Sequence, residues 1–156
     1  LDFYLVDLAT QQINNMKKLF VLMFVLLVSV KLTAQSDKVF HTYIYNDEFK
    51  VYMDINLYEN NVIVPDQELF GEIPGYFGAK RDQRKWLITS AKIDGKNSAT
   101  LEIVNDYGSE DLTATLTYNP EDGSYVLKQK SGSRIKIVVN RKWVKIPTEL
   151  KLVPRK

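Results

Sequence analysis

Residues 49–57 read Phe-Lys-Val-Tyr-Met-Asp-Ile-Asn-Leu, and an apolar residue occupies every second position. Residues 112–118, Leu-Thr-Ala-Thr-Leu-Thr-Tyr, repeat the pattern with threonine at the alternate positions. Successive side chains of a β-strand point to opposite faces, so a period of two places all the apolar side chains on one face. Both stretches are therefore predicted to be strands with one face against a core.

Turn-forming residues separate the remaining apolar stretches. Asn46-Asp47, Asp94–Asn97, Asn119–Gly123 and Ser131–Ser133 each contain residues that accept a turn conformation. The predicted strands recur roughly every 10–13 residues, which is typical of hairpin-connected antiparallel structure. We expect an all-β domain of about seven to nine strands, a meander barrel in preference to a sandwich.

The parity of these strands predicts which side chains enter the core. Tyr52, Thr115 and Lys136 are expected on the outer face. The inward-facing set is predicted to be Met53, Ile55, Leu101, Ile103, Leu116 and Ile137.

One stretch breaks the pattern, from Pro65 to Ala79. It contains several glycines and prolines among aromatic residues. We expect a long loop here, either functional or covering an end of the barrel, with a single helical turn possible at residues 66–70. The same pattern predicts a hairpin between residues 124–129 and 134–140, joined by the turn around Gly132.

The N-terminal region resembles a secretory signal. Lys17 and Lys18 precede residues 19–30, in which only Ser29 is polar, and Thr33-Ala34-Gln35 supplies small residues for cleavage. We predict a signal peptide at residues 16–35, cut close to Gln35. A retained anchor is the alternative, although so short a helix falls well below the bilayer core of about 30 Å.

These assignments divide the chain. Residues 1–15 precede Met16 and are interpreted as an over-extended reading frame, with a second functional N-terminal segment as the alternative. Residues 36–156 are predicted to form a single β-barrel domain. The protein would then be exported, to the periplasm or the extracellular space, without a transmembrane anchor after cleavage.

Composition excludes several classes of site. The chain has 156 residues, one His, no Cys and a net charge of +2. Without Cys there can be no disulfide and no zinc–thiolate site, and a single His excludes a multi-histidine metal site. The low net charge gives no general attraction to nucleic acid. We expect no metal, no cofactor and no specific nucleic-acid partner, and the oligomeric state stays open.

The catalytic candidates are weak. His41 is the one side chain with an ordinary pKa near neutrality, and it lies in an alternating strand. Neither Ser90 nor Ser109 lies in a Gly-x-Ser-x-Gly motif. The acidic pairs Glu110-Asp111 and Glu121-Asp122 fall in predicted turns. We therefore assign no catalytic residue and expect a protein that is not an enzyme, with a hydrolase as a second alternative.

Basic residues cluster towards the C-terminus. Residues 126–156 contain ten Lys or Arg and one acid, whereas residues 97–125 contain six acids and no Lys or Arg. Lys128, Lys130, Arg134 and Lys136 share a parity opposite to the neighbouring apolar residues. They are candidates for binding a polyanion, which could be an envelope glycan, lipid headgroups or extracellular DNA. The alternative is a solvated face neutralised by the adjacent acidic strands.

Aromatic residues supply a second candidate site. Trp86 and Trp143 are the largest apolar side chains, and either could fill the core or offer a stacking surface for a sugar or an apolar ligand. The candidate ligand-binding residues are Phe70, Tyr76, Phe77, Trp86 and Trp143.

The whole arrangement resembles small secreted lipocalin-like bacterial proteins. The resemblance rests on the signal-like segment, the early Gly-rich crossing and the hairpins ending in Lys142-Trp143 and Pro147. The Gly-x-Trp motif of true lipocalins is absent near the first strand. The resemblance implies a barrel that binds something apolar or acts as an inhibitor, and it assigns no residue roles.

The function expected from the sequence is an exported, non-enzymatic β-barrel binding module. Its ligand could be a small apolar molecule, a glycan or a protein. The alternative is an envelope structural or interaction protein that uses the basic face.

Overall fold

The computed structural model describes residues 2–29 and 38–155. The chain divides into two compact units, residues 1–37 and 38–156. In the first unit, helix α1 spans Asp2–Ser29. Among the described residues, no helix is long and apolar enough to cross a membrane. The predicted cleavage point near Gln35 lies outside the described residues.

The second unit is all-β, as predicted. Its strands within residues 38–155 are β1 (His41–Asn46), β2 (Val51–Asn56), β3 (Val62–Ile63), β4 (Glu72–Ile73), β5 (Gly75–Ala79), β6 (Asp82–Ile93), β7 (Ser98–Asn105), β8 (Asp111–Asn119), β9 (Ser124–Gly132), β10 (Lys136–Val139), β11 (Lys142–Lys145) and β12 (Glu149–Pro154).

Eight of these strands close into an antiparallel barrel. Their order around the barrel is β1-β2-β5-β6-β7-β8-β9-β12, and β12 pairs with β1 to complete the ring. The chain therefore runs up and down the wall with two excursions, the hairpins β3–β4 and β10–β11. The prediction of a barrel with seven to nine strands is confirmed, and the architecture is consistent with the lipocalin-like resemblance.

The barrel interior is filled with side chains. All six residues that parity placed inward are buried, and Met53, Ile55 and Leu101 have no exposed surface. A side chain lining a void large enough for water would keep some accessible surface, so 0% exposure means close packing against neighbours. The wall residues Ile44, Phe77, Ile88, Ile103, Leu116 and Leu127 are likewise 0% exposed.

Each end of the barrel is closed by apolar groups. At one end the β10–β11 hairpin and its flanks insert Ile135, Ile137 and Ile146 into the core. At the other end Phe40 is fully buried, and Tyr125 Oη donates a hydrogen bond of 2.5 Å to the carbonyl of Val39. Burial, together with the smaller effect of the nearby Tyr118, raises the pKa of Tyr125 to about 12.

The expectation of a long loop at Pro65–Ala79 is wrong for its second half, because Gly75–Ala79 forms barrel strand β5. Glycine is required at two of its positions by close contacts. A Cβ on Gly75 would collide with the carbonyl of Asp54, and one on Gly78 would lie 2.6 Å from the Tyr52 ring. Low β-propensity at these positions concealed a strand that packing demands. The expected helical turn is present as a 3-10 turn at Glu68–Phe70.

The expectation that Tyr52 lies on a free outer face needs correction. The β3–β4 excursion folds back over the outside of the barrel and buries Val64, Tyr76 and Leu87 against it. Tyr52 is half-buried in this outer cluster and meets the Tyr76 ring edge-on, with ring centroids 6.0 Å apart. The barrel wall is therefore covered on both faces at β2, β5 and β6.

The predicted pairing of residues 124–129 with 134–140 is also wrong. Strand β9 pairs with β8 and β12, whereas β10 pairs with β11. The turn at Gly132 leads out of the wall, and the chain then forms a separate hairpin before β12 returns. This excursion carries the exposed Trp143 on β11.

Candidate functional site

The β10–β11 hairpin is built on a tight two-residue turn. Asn140 and Arg141 connect Val139 to its partner Lys142, and both have positive φ, 51° and 63°. Two consecutive residues with positive φ are typical of the type I′ turn, whose twist matches that of the flanking strands. The turn places Trp143 at the second position of β11.

Side chains from strand β6 anchor the hairpin. Asp82 Oδ2 accepts a hydrogen bond of 2.7 Å from the backbone N–H of Val138, and Trp86 Nε1 donates one of 3.3 Å to the carbonyl of Lys136. Burial raises the pKa of Asp82, but hydrogen bonds from Arg84 and from the N–H of Val138 outweigh it and hold that pKa below its usual range. Asp82 is therefore a charged anchor close to the turn of the hairpin.

The Trp143 surface, which we define as Arg84, Tyr107, Lys136 and Trp143, lies beside this anchor. Trp143 is 56% exposed and Tyr107 is 70% exposed. The Arg84 guanidinium carbon lies 4.4 Å from the Trp143 ring centroid, and Lys136 Nζ lies 5.0 Å from it. These cation–π contacts hold a large, exposed indole in place.

Carboxylates fix the two cations in turn. Arg84 Nε donates to Asp82 Oδ1 at 2.9 Å, and Lys136 Nζ lies 2.8 Å from Glu110 Oε1. Within the described residues Arg84 uses Nε for its hydrogen bond, so both terminal Nη groups remain available to a ligand. The surface thus combines a fixed aromatic face with donor groups that are held in position.

Two depressions adjoin the Trp143 surface. One is a narrow cleft of about 20 Å³, enough for a water molecule, and the other is an open depression of about 330 Å³. Arg84, Asp106 and Tyr107 line both. The cleft is otherwise lined by Lys85, Trp86, Asn105, Glu110, Lys136 and Trp143, and the depression by Gln67 and Gln83.

Asp106 ties the β3–β4 excursion to this end of the barrel. Its Oδ2 accepts hydrogen bonds from Gln67 Nε2 at 2.8 Å and from the N–H of Lys85 at 2.9 Å. Asp106 Oδ1 and Gln67 Oε1 are buried without a hydrogen-bond partner among the described residues. This corner therefore retains unused acceptor capacity next to the depression.

The structure does not bring the five aromatic candidates together. Phe77 and Trp86 belong to the barrel core, and Tyr76 is buried in the outer cluster. Phe70 is 47% exposed on the 3-10 turn. Of the five, Trp143 is the exposed one that lines a cleft with polar groups around it.

The four basic candidates do not form one stripe, because β9 and β10 are not paired. Lys128 forms an ion pair with Glu149, whereas Lys136 pairs with Glu110 and contacts the Trp143 ring. Lys130 is exposed on β9, and Arg134 donates a hydrogen bond of 2.6 Å from Nη2 to the carbonyl of Ile146. The Lys128 side chain also lowers the pKa of Glu149, chiefly through its hydrogen bond.

His41 and Asp54 lie on neighbouring strands, close enough for their charges to interact. His41 is exposed at the start of β1. Asp54 is half-buried between Tyr43 and Tyr76, which lie opposite it on the neighbouring strands. Burial raises the pKa of Asp54, while the charge on His41 lowers it. No group of three potential metal-ligating side chains occurs within the described residues.

Sequence reasoning missed Asp82, Arg84, Tyr107 and Glu110. Their proximity to Trp143 depends on contacts between residues far apart in the chain, such as Asp82 with Val138. One local signal was available: Asn140-Arg141 separates two four-residue stretches of apolar and basic residues and marks a hairpin turn.

Comparison of the chain with models of protein families, with curated protein sequences and with solved structures finds no significant match. Functional roles for these residues therefore come from the geometry of this chain.

Proposed function

We propose that this protein is an exported, non-enzymatic binding module that holds its partner on the Trp143 surface, outside the barrel. The observation that carries the proposal is the contrast between a filled interior and an exposed indole fixed by two cations. Trp143 is 56% exposed and so forgoes part of the roughly 1.5–3 kcal/mol that full burial of a large apolar side chain gains. Exposed, preorganised Trp, Tyr and Arg side chains are enriched where proteins bind partners.

The packed interior argues against an apolar ligand held inside the barrel. Such a ligand would have to displace side chains such as Met53 and Phe77, which are 0% exposed. The lipocalin-like resemblance therefore extends to the architecture, and we expect the ligand on the outer surface. We likewise assign the interaction role expected of the basic residues to the hairpin that carries Lys142 and Lys145.

Export is supported by Lys17 and Lys18 ahead of the apolar residues 19–30. Expression of the full chain in a bacterium, followed by N-terminal sequencing of the protein outside the cytoplasm, tests this part. We expect the exported protein to begin close to Gln35. Recovery of exported protein that still carries residues 1–30 would contradict a cleaved signal.

The binding site is tested with a panel of immobilised acidic peptides, neutral oligosaccharides and palmitate, using full-length wild type, Trp143→Ala and Val153→Ala. Val153 is a matched control because it is also exposed and apolar, at 48%, and lies on β12. We expect a ligand whose binding is lost in Trp143→Ala and kept in Val153→Ala. Binding that survives Trp143→Ala throughout the panel, or stoichiometric uptake of palmitate, would overturn the proposal.

A further inference from the structure

The hydrogen-bonding pattern of the β10–β11 hairpin decides which backbone groups face outward. Residue pairs in an antiparallel ladder alternate between pairs that exchange hydrogen bonds and pairs that do not. The N–H of Ile146 donates to the carbonyl of Ile135 at 2.8 Å, so this pair is hydrogen-bonded. The pairs Ile137–Val144 and Val139–Lys142 are then hydrogen-bonded as well. Lys136–Lys145 and Val138–Trp143 are not.

The two non-bonded pairs turn their backbone groups away from the hairpin. On β10 side chains satisfy two of the four outward groups, since the N–H of Val138 donates to Asp82 and the carbonyl of Lys136 accepts from Trp86. On β11 the corresponding groups are the N–H and C=O of Trp143 and Lys145. Within residues 38–155, β11 pairs with β10 alone, and no hydrogen bond reaches these four groups.

Strand β11 is therefore an open edge on a protein whose main sheet has none. The eight-stranded barrel is closed, so its own strands offer no free edge. Lys142, Trp143 and Lys145 are exposed, so solvent and partners can reach the edge. Unpaired edge groups of this kind accept an extended peptide as an additional strand.

From this edge we infer that the protein binds an extended, acidic segment of another polypeptide by strand addition to β11, an inference that rests on the proposed function of the Trp143 surface. Trp143 and Lys145 would each exchange two backbone hydrogen bonds with the added strand. An apolar residue opposite Trp143 would pack on the indole, and an acidic residue would lie opposite Lys145.

Charge selects the partner. Arg141, Lys142 and Lys145 have no carboxylate partner within residues 38–155 and surround the edge. Two β11 edges can pair in antiparallel fashion only through Trp143 and Lys145. A register centred on Lys145 would place the two Lys145 side chains opposite each other, one centred on Trp143 would place Arg141 opposite Lys145 at both ends, and like charges directly opposite destabilise a sheet. The lysines thus disfavour self-association and favour an acidic strand.

The probe for this inference is an acetylated and amidated peptide, Thr-Glu-Thr-Val-Thr-Glu-Thr-Glu, titrated into the full-length chain. Two derivatives carry N-methyl groups, one on the Thr residues and the other on the Glu and Val residues. Alternate N–H groups of an added strand point towards β11, so methylation of one set should weaken binding about tenfold or more while the other set has little effect. Attraction through charge alone would treat both derivatives alike, and that result would overturn strand addition.

Amide hydrogen exchange provides a second readout on the protein. The peptide should slow exchange at Trp143 and Lys145, whose N–H groups face the edge. Exchange at Val144 should not change, because its N–H already faces β10. Slowing at Val144 without slowing at Trp143 and Lys145 would contradict the geometry.

Two substitutions separate the backbone from the charge of Lys145. Lys145→Pro removes an edge donor that makes no bond inside the hairpin, whereas Lys145→Gln removes the charge alone. We expect Lys145→Pro to weaken peptide binding several-fold more than Lys145→Gln, and equal effects would contradict strand addition. A ligand lost in Trp143→Ala but indifferent to Lys145→Pro and to peptide N-methylation would refute this inference and leave the surface-binding proposal standing.

Discussion

Asp82 joins the barrel wall to the excursion that carries Trp143. One carboxylate oxygen accepts from the N–H of Val138 and the other from Arg84, and the side chain is 6% exposed. Removing a hydrogen-bond acceptor from a buried group costs about 1–3 kcal/mol because the donors are left unsatisfied. The position of Trp143 therefore depends on a residue more than fifty positions away in the chain.

Asp82→Asn should lower the free energy of unfolding by about 1–3 kcal/mol at pH 7 and loosen the hairpin. The folded state holds the pKa of Asp82 low. The Asp82 carboxylate therefore contributes to the free energy of unfolding above its unfolded-state pKa of about 4, and this contribution is lost as pH falls through its folded-state pKa. Urea unfolding of both proteins at several pH values measures this. Asp47→Asn, at an exposed turn residue, is the control and should change little. A difference between wild type and Asp82→Asn that stays constant down to the most acidic pH would contradict the role of the carboxylate.

The pKa of Asp54 is shifted in the opposite direction to that of Asp82. Burial raises its folded-state pKa, so its contribution to stability is present below the unfolded pKa of about 4 and is lost as pH rises through the folded value. Asp54→Asn should therefore be stabilising relative to wild type at pH 7, and this gain should disappear in acid. Thermal unfolding of both proteins at pH 7 and at acidic pH tests this prediction. A variant less stable than wild type at pH 7 would show that the Asp54 carboxylate has favourable partners.

At the scale of elements, the β10–β11 hairpin has a turn that is not optimal for stability. Arg141 has a φ of 63°, in the left-handed region that costs a residue with a Cβ about 1–2 kcal/mol. Asn-Gly is the preferred pair for this turn type. An arginine at this position is consistent with a role for its charge at the β11 edge.

Arg141→Gly should raise the free energy of unfolding by about 1 kcal/mol, because glycine adopts positive φ without steric cost. Arg141→Ala removes the same charge but keeps the Cβ, so it should give no such gain. Chemical denaturation of wild type, Arg141→Gly and Arg141→Ala shows whether the gain in stability comes from the backbone conformation or from removal of the charge. Equal stabilisation in both variants would show that charge repulsion, and not the turn conformation, is relieved.

Elements with strict alternation were predictable from sequence, and those shaped by distant contacts were not. The period of two identified β2 and β8 and the inward orientation of Met53 and Leu116. Strand β5 was hidden because Gly75 and Gly78 are dictated by Asp54 and Tyr52 on the neighbouring strand. The pairing of β10 with β11 depends on anchors from β6, which local patterns do not reveal.

Only part of the candidate site was predictable from the sequence, again because contacts between distant residues shape the rest. Trp143 was identified by its size and its basic neighbours, but so was Trp86, which is 4% exposed in the core. Amphipathic aromatic residues serve both roles, and only the packing around each one distinguishes them. The basic candidates were separated by the unforeseen excursion, which left Lys136 beside Trp143 and Lys128 beside Glu149.

At the scale of the whole molecule, the barrel acts as a rigid support. Its interior is packed and its ends are closed by Phe40 and by the residues flanking β10–β11. The Trp143 surface and the β11 edge lie side by side: the edge belongs to the β10–β11 excursion, and the surface joins Lys136 and Trp143 of that excursion to Arg84 of β6 and Tyr107 of the β7–β8 loop. Sites held on such a scaffold lose little conformational entropy when a partner binds.

The most direct test of an outside site on a filled barrel is methyl NMR of the full-length chain, labelled at Ile, Leu, Val and Met methyl groups. It is titrated separately with palmitate and with the acidic peptide. We expect the peptide to shift the methyl signals of Val138 and Val144, while those of Met53, Ile55 and Leu101 stay unchanged with either ligand. Shifts of the three interior residues on addition of palmitate, with Val138 and Val144 unmoved by the peptide, would contradict the account.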